Sequence, residues 1–386
     1  MYKRNQVFIA ACIGLFLFGM TLITLGSILP ALKIKFETKE MNAGILSSLL
    51  PIGILVGSLL FGPIVDRRGY KLLLIISILL SAIGLEGLAF TNSLSLLYGC
   101  FFLIGFVGGI INGGANALVA DISAENKGAN LSLLGVSFGI GALGMPLLLG
   151  LLSKYFDYTV ILSAVGFFMV LPVIYISLII FPIPKQVQGV PLNEGVKLLK
   201  ESALLLISFY LFFQSGIEAL VNNWTTSFLQ EKIKMSNEDA LLTLSFYLVG
   251  LTIARLLLGG VLKKISSFLV MIISLLLVIA GNSVLILTDS SDLVFAALII
   301  TGMGLAAGFP VMLGYVGQLF SKLSGTAFSI ALVIALIGNT LLNYFFSIIA
   351  DKYSIGYLPE TIIVCVICMT ILLIATKQKI SSKIKL

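Results

Sequence analysis

Twelve apolar runs, each long enough to cross a bilayer as a helix, leave this chain few other ways to fold. They fall at 7–32, 42–65, 71–91, 96–121, 129–153 and 159–182, then at 202–229, 239–262, 266–288, 293–320, 324–350 and 355–376. A helix crosses the hydrocarbon core with about 20 apolar residues. Backbone polar groups find no water there, so such runs satisfy themselves as helices. Composition agrees: 59% of the 386 residues are hydrophobic and 11% are charged, whereas soluble domains carry roughly 25% charged residues. The expected fold is all-α and integral to the membrane, with twelve transmembrane helices and no room for a soluble domain. The first run follows a basic start, Met1-Tyr2-Lys3-Arg4. It is longer than the ~7–15 residues of a signal-peptide core, so it reads as the first membrane helix.

The net charge of +7 is distributed by side of the membrane. With both termini placed in the cytoplasm, sixteen of the 24 Lys and Arg lie in inner loops and ends, seven lie in outer loops, and Arg255 lies within a span. Cations favour the cytoplasmic side, so a multi-pass protein of the cell (inner or plasma) membrane is expected, with both termini inside. Sorted this way, the charge implies a lipid partner and no nucleic acid. Cys12, Cys100, Cys365 and Cys368 all fall in apolar runs of a chain with no His. The spacing Cys365-x-x-Cys368 therefore reads as small apolar helix residues rather than a metal or redox site. No metal and no cofactor is expected.

The longest polar stretch in the interior, 184–200, divides the runs six and six. It gives an N-terminal bundle at 1–183, a cytoplasmic linker and a C-terminal bundle at 201–386. A shift of 197 residues brings Gly19 onto Gly216, Gly62 onto Gly259, Gly105 onto Gly302, Gly128 onto Gly325 and Gly141 onto Gly338. Parallel six-helix repeats are a known transporter plan. The repeat isolates one stretch, Gly62-Pro-Ile-Val-Asp66-Arg67-Arg68-Gly69-Tyr70-Lys71, a charged hinge between two apolar runs. Asp66 stands at the C-terminal end of a helix, where the helix dipole is negative and disfavours a carboxylate. Its equivalent in the second copy is Lys263, which obeys the dipole. A residue that breaks a local rule its own repeat obeys marks a functional position.

The hinge, its degenerate copy at Arg255–Lys264 and the six-plus-six layout together resemble the major facilitator superfamily, over the whole chain. The resemblance implies two pseudo-symmetric six-helix bundles and a secondary transporter, working as a monomer by rocking of its halves about a midplane site. It assigns Gly62, Asp66, Arg67, Arg68, Gly69 and Lys71 to a conformational switch. With the two-half layout, it also implies a partner for Asp66: the N-terminal end of the eleventh helix, near Gly325 and Thr326, which carries partial positive charge. Arg255 resembles the Arg that often precedes the second hinge and is assigned to gating. By topology Asp121 and Glu125 lie near the hinge as candidate partners for Arg67, Arg68 or Lys71, or as solvated loop charges.

A narrower resemblance is to the fucose/glucose/galactose permease group. It rests on Gly109-Ile-Ile-Asn112-Gly-Gly-Ala-Asn116 in the fourth span, Asn130 to Gly141 in the fifth, and Phe212-Phe213-Gln214-Ser-Gly216-Ile-Glu218 running on to Asn222-Asn223-Trp224 in the seventh. Two features depart from the group. Asn112 stands where members often have an acid, and residues 7–32 contain no Asp or Glu. Those acids handle the proton in the group's symporters.

Spacing in the seventh span gives the candidate binding site. Gln214, Glu218, Asn222 and Thr225 lie within an arc of roughly 80° at 100° per residue. A charge in mid-membrane costs about 2.5–3.5 kcal/mol and faces a cavity or the bundle interior. Trp224, the only Trp, flanks this stripe as a surface for the C–H face of a sugar ring or as an interfacial anchor. Asn112 and Asn116, and Asn339 and Asn343, form i, i+4 amide pairs on the fourth and eleventh spans, as further lining or as interhelical glue. An amide-rich, charge-poor lining suits a neutral polyhydroxylated solute. Glu86 in the third span reads equally as a protonated structural carboxyl or a functional one. The chain has no His, no G-x-x-x-x-G-K-[ST] loop and no nucleophile with a base nearby, so no enzyme is expected. The expected function is uptake of a small neutral polar solute, a sugar above all, coupled to a cation. If that cation is a proton, Glu218 carries it. The alternative is a drug or metabolite exporter of the same fold. The fifth-span segment Gly139 to Pro146 partly resembles the exporter signature.

Overall fold

The computed structural model describes residues 2–36, 43–123, 127–184, 197–288 and 290–384. Among them every regular element is a helix. They are α1 Arg4–Lys35, α2 Ala43–Arg68, α3 Tyr70–Phe90, α4 Leu94–Ile122, α5 Lys127–Leu152, α6 Tyr158–Phe168 and α7 Val170–Leu178. The second half gives α8 Ser202–Phe228, α9 Asn237–Val261, α10 Ser267–Leu287, α11 Ser291–Leu305, α12 Gly308–Leu319, α13 Ser324–Lys352 and α14 Leu358–Ile384. They form twelve spans long and apolar enough to cross a membrane. Most of the linker, 185–196, and Glu125 lie outside the described residues.

Two spans are broken where the sequence pattern shows single runs. Residues 159–182 form α6 and α7, interrupted at Met169, and residues 293–320 form α11 and α12, interrupted at Ala306 and Ala307. Proline explains both. A ring at position i removes one N–H and clashes with the carbonyl of i−4. Pro172 therefore disturbs Phe168, and Pro310 disturbs Ala306. The hinge also differs from expectation. Helix α2 continues through Asp66 to Arg68 and α3 begins at Tyr70, so the turn is a single residue. Gly69 adopts φ 77° there, a conformation that strains any residue with a side chain.

The chain divides into two compact units. The first comprises Met1–Ser123, Leu134–Gly195 and Phe320–Ser329; the second comprises Ala124–Leu133, Val196–Leu319 and Ile330–Leu386. Each unit thus takes a short segment from the other half of the sequence. In the first unit α2 packs along α4, which also meets α1 and α3, while α3 meets α6 and α7. In the second unit α9 packs on α11, α10 on α11 and α14, and α8 on α14 and α12.

The glycine repeat marks close helix crossings. A Cβ on Gly105 would run into the Leu50 backbone, and one on its partner Gly302 into the backbone of Tyr247 and Leu251. Likewise Gly141 lies against the Phe16 backbone and Gly338 against that of Phe212. Small residues let membrane helices approach closely where no hydrophobic force drives them together. Cys12, Cys100, Cys365 and Cys368 are free thiols.

Candidate functional site

At the hinge, Asp66 is 1% exposed. Its Oδ1 accepts from the Gly325 amide at 3.2 Å, and its Oδ2 accepts from the Thr326 amide at 3.0 Å and the Thr326 hydroxyl at 2.7 Å. These donors lie in the first turn of α13, where N–H groups have no partner within the helix. The carboxylate disfavoured at the end of its own helix is thereby placed at the positive end of another. The expected partner is the observed one. Gly62 permits it: a Cβ there would meet the Gly325 backbone. Pro63 adds a second tie. It has no N–H to give Leu59, and the Leu59 carbonyl accepts from the Ser329 hydroxyl at 2.9 Å. Ser329 also donates to the Ser58 carbonyl.

The other hinge residues find separate partners. Lys71 donates to the carbonyls of Ser177 at 2.7 Å and Ile179 at 3.0 Å, capping the C-terminal end of α7. A cation suits that end of a helix, so Lys71 serves α7 rather than Asp121. Asp121 accepts from the Tyr70 hydroxyl, and from Ser324 at 3.0 Å. Arg67 and Arg68 are exposed in the last turn of α2. Tyr70, Ser324 and Ser329 were not singled out by the sequence. The one available signal was the missing N–H of Pro63, which frees a carbonyl.

On α8 the polar stripe is graded in burial. Gln214 and Thr225 are buried, Glu218 is half-buried and Asn222 is exposed. The Gln214 amide donates to Glu218 Oε1 at 2.8 Å and to the Leu305 carbonyl at 2.9 Å. Leu305 ends α11, and the break beyond it leaves its carbonyl without a helical partner. Gln214 therefore plugs the break while orienting Glu218. Gly308 leaves room for it, since a Cβ there would strike the Gln214 amide. Asn222 donates to the Glu218 carbonyl at 2.7 Å. Arg255 and Tyr247 on α9 lie within electrostatic reach of Glu218. The sequence places Arg255 with the gating residues; in the fold it also lies within electrostatic reach of the stripe. Its carbonyl accepts from Ser132 at 2.6 Å, and its buried Nε has no hydrogen-bond partner among the described residues.

The amides are largely occupied. Asn343 Oδ1 accepts from Trp224 Nε1 and from Asn223, each at 3.0 Å, and its own amide donates to the Asn339 carbonyl at 2.8 Å. The Trp224 ring stands edge-on to Phe346 at 5.1 Å. Asn339 donates to the Ser215 carbonyl at 3.5 Å. In the first unit Asn116 donates to the Asn112 carbonyl at 2.8 Å and to its side-chain oxygen at 3.1 Å, both residues half-buried. Glu86 accepts from Ser163 at 2.7 Å, tying α3 to α6. Among the described residues no group of His, Cys, Asp and Glu is arranged to hold a metal.

Known proteins place this arrangement. The profile of the Major Facilitator Superfamily matches residues 11–320 and 208–380. The chain belongs to the major facilitator superfamily. Its membership makes it a multi-pass membrane transporter rather than an enzyme. A crystal structure of the E. coli fucose:proton symporter superposes with a TM-score of 0.80 over 96% of this chain and 97% of that one, at 17% identity. The proton:xylose symporter XylE gives 0.76, at 15% identity over 95% and 94%. The human organic anion transporter MFSD10 gives 0.74, at 14% identity over 97% and 100%. Such likeness establishes the major facilitator fold. By sequence, the E. coli inner membrane transport protein YdiN is 22% identical over 40% of this chain and 38% of its own length. The sodium-dependent glucose transporter 1 of Danio rerio is 28% identical over 39% and 25%. The matches span well under half of either relative.

Proposed function

We propose that this major facilitator takes up a small neutral polyhydroxylated solute, a sugar or close relative, by alternating access, and that a proton carried on Glu218 drives it. The observation that carries this reading is Glu218 itself: a half-buried intramembrane carboxylate, oriented by Gln214 and followed one turn on by the exposed Asn222. A carboxylate that takes up and releases a proton changes both the charge and the hydrogen-bonding capacity of the surface a hydroxylated solute would meet. The symporter names of two of the three superposed proteins and the narrower group resemblance support the substrate class. Two sequence features depart from the proton-coupled members that the chain resembles: Asn112 stands on α4 where they often have an acid, and α1 carries no Asp or Glu. Both weigh against coupling through those helices, and Glu218 is the carboxylate on which this reading places the proton. Asp66 with Gly325 and Thr326 acts in this reading as the conformational switch. The protein works as a monomer in the cell membrane, with both termini in the cytoplasm.

The test is uptake of labelled sugars into vesicles with and without an inward proton gradient. Wild type should accumulate solute with the gradient. Glu218→Gln should lose gradient-driven accumulation yet retain exchange of solute across the membrane. Gradient-driven uptake that survives the substitution removes Glu218 from the mechanism. A second reading, transport or export of an organic anion, is favoured by Arg255, a cation at the same stripe with an unpartnered Nε. Thermal stabilisation by organic anions and not by sugars would select it.

A further inference from the structure

Two buried serines make the same bond at equivalent places. Ser132 on α5 and Ser329 on α13 stand 197 residues apart, and so do the residues whose carbonyls they meet, Arg255 on α9 and Ser58 on α2. The serines are 0 and 3% exposed. Each lies where its helix passes from one unit to the other. The second unit takes α5 as far as Leu133 and the first takes it from Leu134; the first unit takes α13 as far as Ser329 and the second takes it from Ile330. A buried hydroxyl is costly without its acceptor, so each bond fixes a carbonyl to a helix that both units share.

The two bonds differ in the side chain that extends from the held carbonyl. Ser58 carries a small neutral one. Arg255 carries a guanidinium within electrostatic reach of Glu218, and its buried Nε has no hydrogen-bond partner among the described residues. With no bond at Nε, the place of the cation is set by the backbone from which it extends. The Ser132 hydroxyl holds that backbone at 2.6 Å. Few other charges intrude on the pair. Tyr247 on α9 is a further titratable group within reach. Apart from Arg255, the charged residues of α9, α13 and α14 lie toward the ends of those helices, and α12 has none. Glu231 and Lys232 follow Glu218 by more than three turns, beyond the end of α8.

We infer that Ser132 is a positioning residue for Glu218: its bond to the Arg255 carbonyl holds the guanidinium near the Glu218 carboxylate, and release of that bond as the first unit draws α5 away withdraws the cation. This role presupposes the proposed proton on Glu218 and fixes when that proton moves. With the cation in place the carboxylate is favoured and the proton leaves; with the cation withdrawn the carboxyl takes one up. Ser329 makes the equivalent bond to Ser58 with no charge behind it, so only the bond in the second unit is tied to the proton.

The test follows the Glu218 carboxyl by infrared difference spectroscopy on the full chain in phosphatidylcholine vesicles, without solute, as pH is varied. The C=O band that Glu218→Gln abolishes reports that carboxyl. Arg255→Gln should move the midpoint of the band about one pH unit upward, the usual effect of losing a neighbouring cation. Ser132→Ala should move it in the same direction by a smaller amount, and Ser132→Thr, which keeps the hydroxyl, should return it to the wild-type value. Adding Ser132→Ala to Arg255→Gln should produce no further shift. Ser329→Ala removes the equivalent bond, so it should lower the melting temperature as Ser132→Ala does while leaving the midpoint unmoved. Ser132→Cys, close in shape and a weaker donor, gives the same comparison if the alanine variant folds poorly. A wild-type midpoint in Ser132→Ala, or an equal shift in Ser329→Ala, would overturn the positioning role and leave the proton on Glu218. A band that survives Glu218→Gln would overturn both.

Discussion

Asp66 shows how one residue can violate the rule of its own helix because a second helix supplies what the first withholds. It accepts three hydrogen bonds from the first turn of α13. Hydrogen bonds to a charged group contribute about 1.5–3 kcal/mol, and removing one partner leaves the others buried and unsatisfied. Asp66→Asn keeps the shape but gives up the charge, so it should lower thermal stability and raise the thiol accessibility of cysteines placed beside 66 and 325. Unchanged accessibility would count against the anchor. Thr326→Val removes one donor of three and should show a smaller effect of the same sign, about 1 kcal/mol. The dipole conflict exposed Asp66 in the sequence because it is local. The roles of Tyr70, Ser324 and Ser329 were hidden, since a lone hydroxyl near an apolar run carries no mark of what it will meet 51 to 271 positions away.

Elements are held by two devices, glycine crossings and plugged breaks. Gly105 and Gly302 sit against backbone of the neighbouring helix, where an added methyl has nowhere to go. Gly105→Ala should destabilise the fold by about 1–3 kcal/mol, the usual cost of overpacking. Gly139→Ala, with nothing within 4 Å of its Cβ position, should be neutral or slightly stabilising, since alanine is the better helix former. Thermal melting in one detergent compares the pair directly. The breaks make a separate prediction. Gly308→Ala pushes on Gln214, which holds both Leu305 and Glu218. It should therefore impair solute binding as well as stability, whereas Gly105→Ala should impair stability alone. The glycine register was visible at a fixed offset. The interruptions were not, because Pro172 and Pro310 sit in runs whose hydropathy does not falter.

At the scale of the whole molecule, the exchange of segments bears on how the halves can be separated. The first unit includes Phe320–Ser329 from the second half of the chain, the very residues that receive Asp66. Fragments 1–183 and 201–386 expressed together should therefore recover transport, and fragment 1–183 alone should be degraded; recovery of a stable fragment 1–183 would refute this. In the proposed topology the C-terminus lies in the cytoplasm with the excess of cations, so a green fluorescent protein fused there should fluoresce. The sequence by itself determined the solvent, the helical class, the number of spans and the superfamily. Each of these is written in composition, run length or spacing, which survive without knowledge of contacts. Only the tertiary structure decided that Arg255 comes within electrostatic reach of Glu218, that Trp224 donates to Asn343, and that Gln214 closes the break after Leu305. Those pairings join residues of like polarity from different helices. In lipid any buried polar group must find a partner, but which partner it finds depends on how the helices cross.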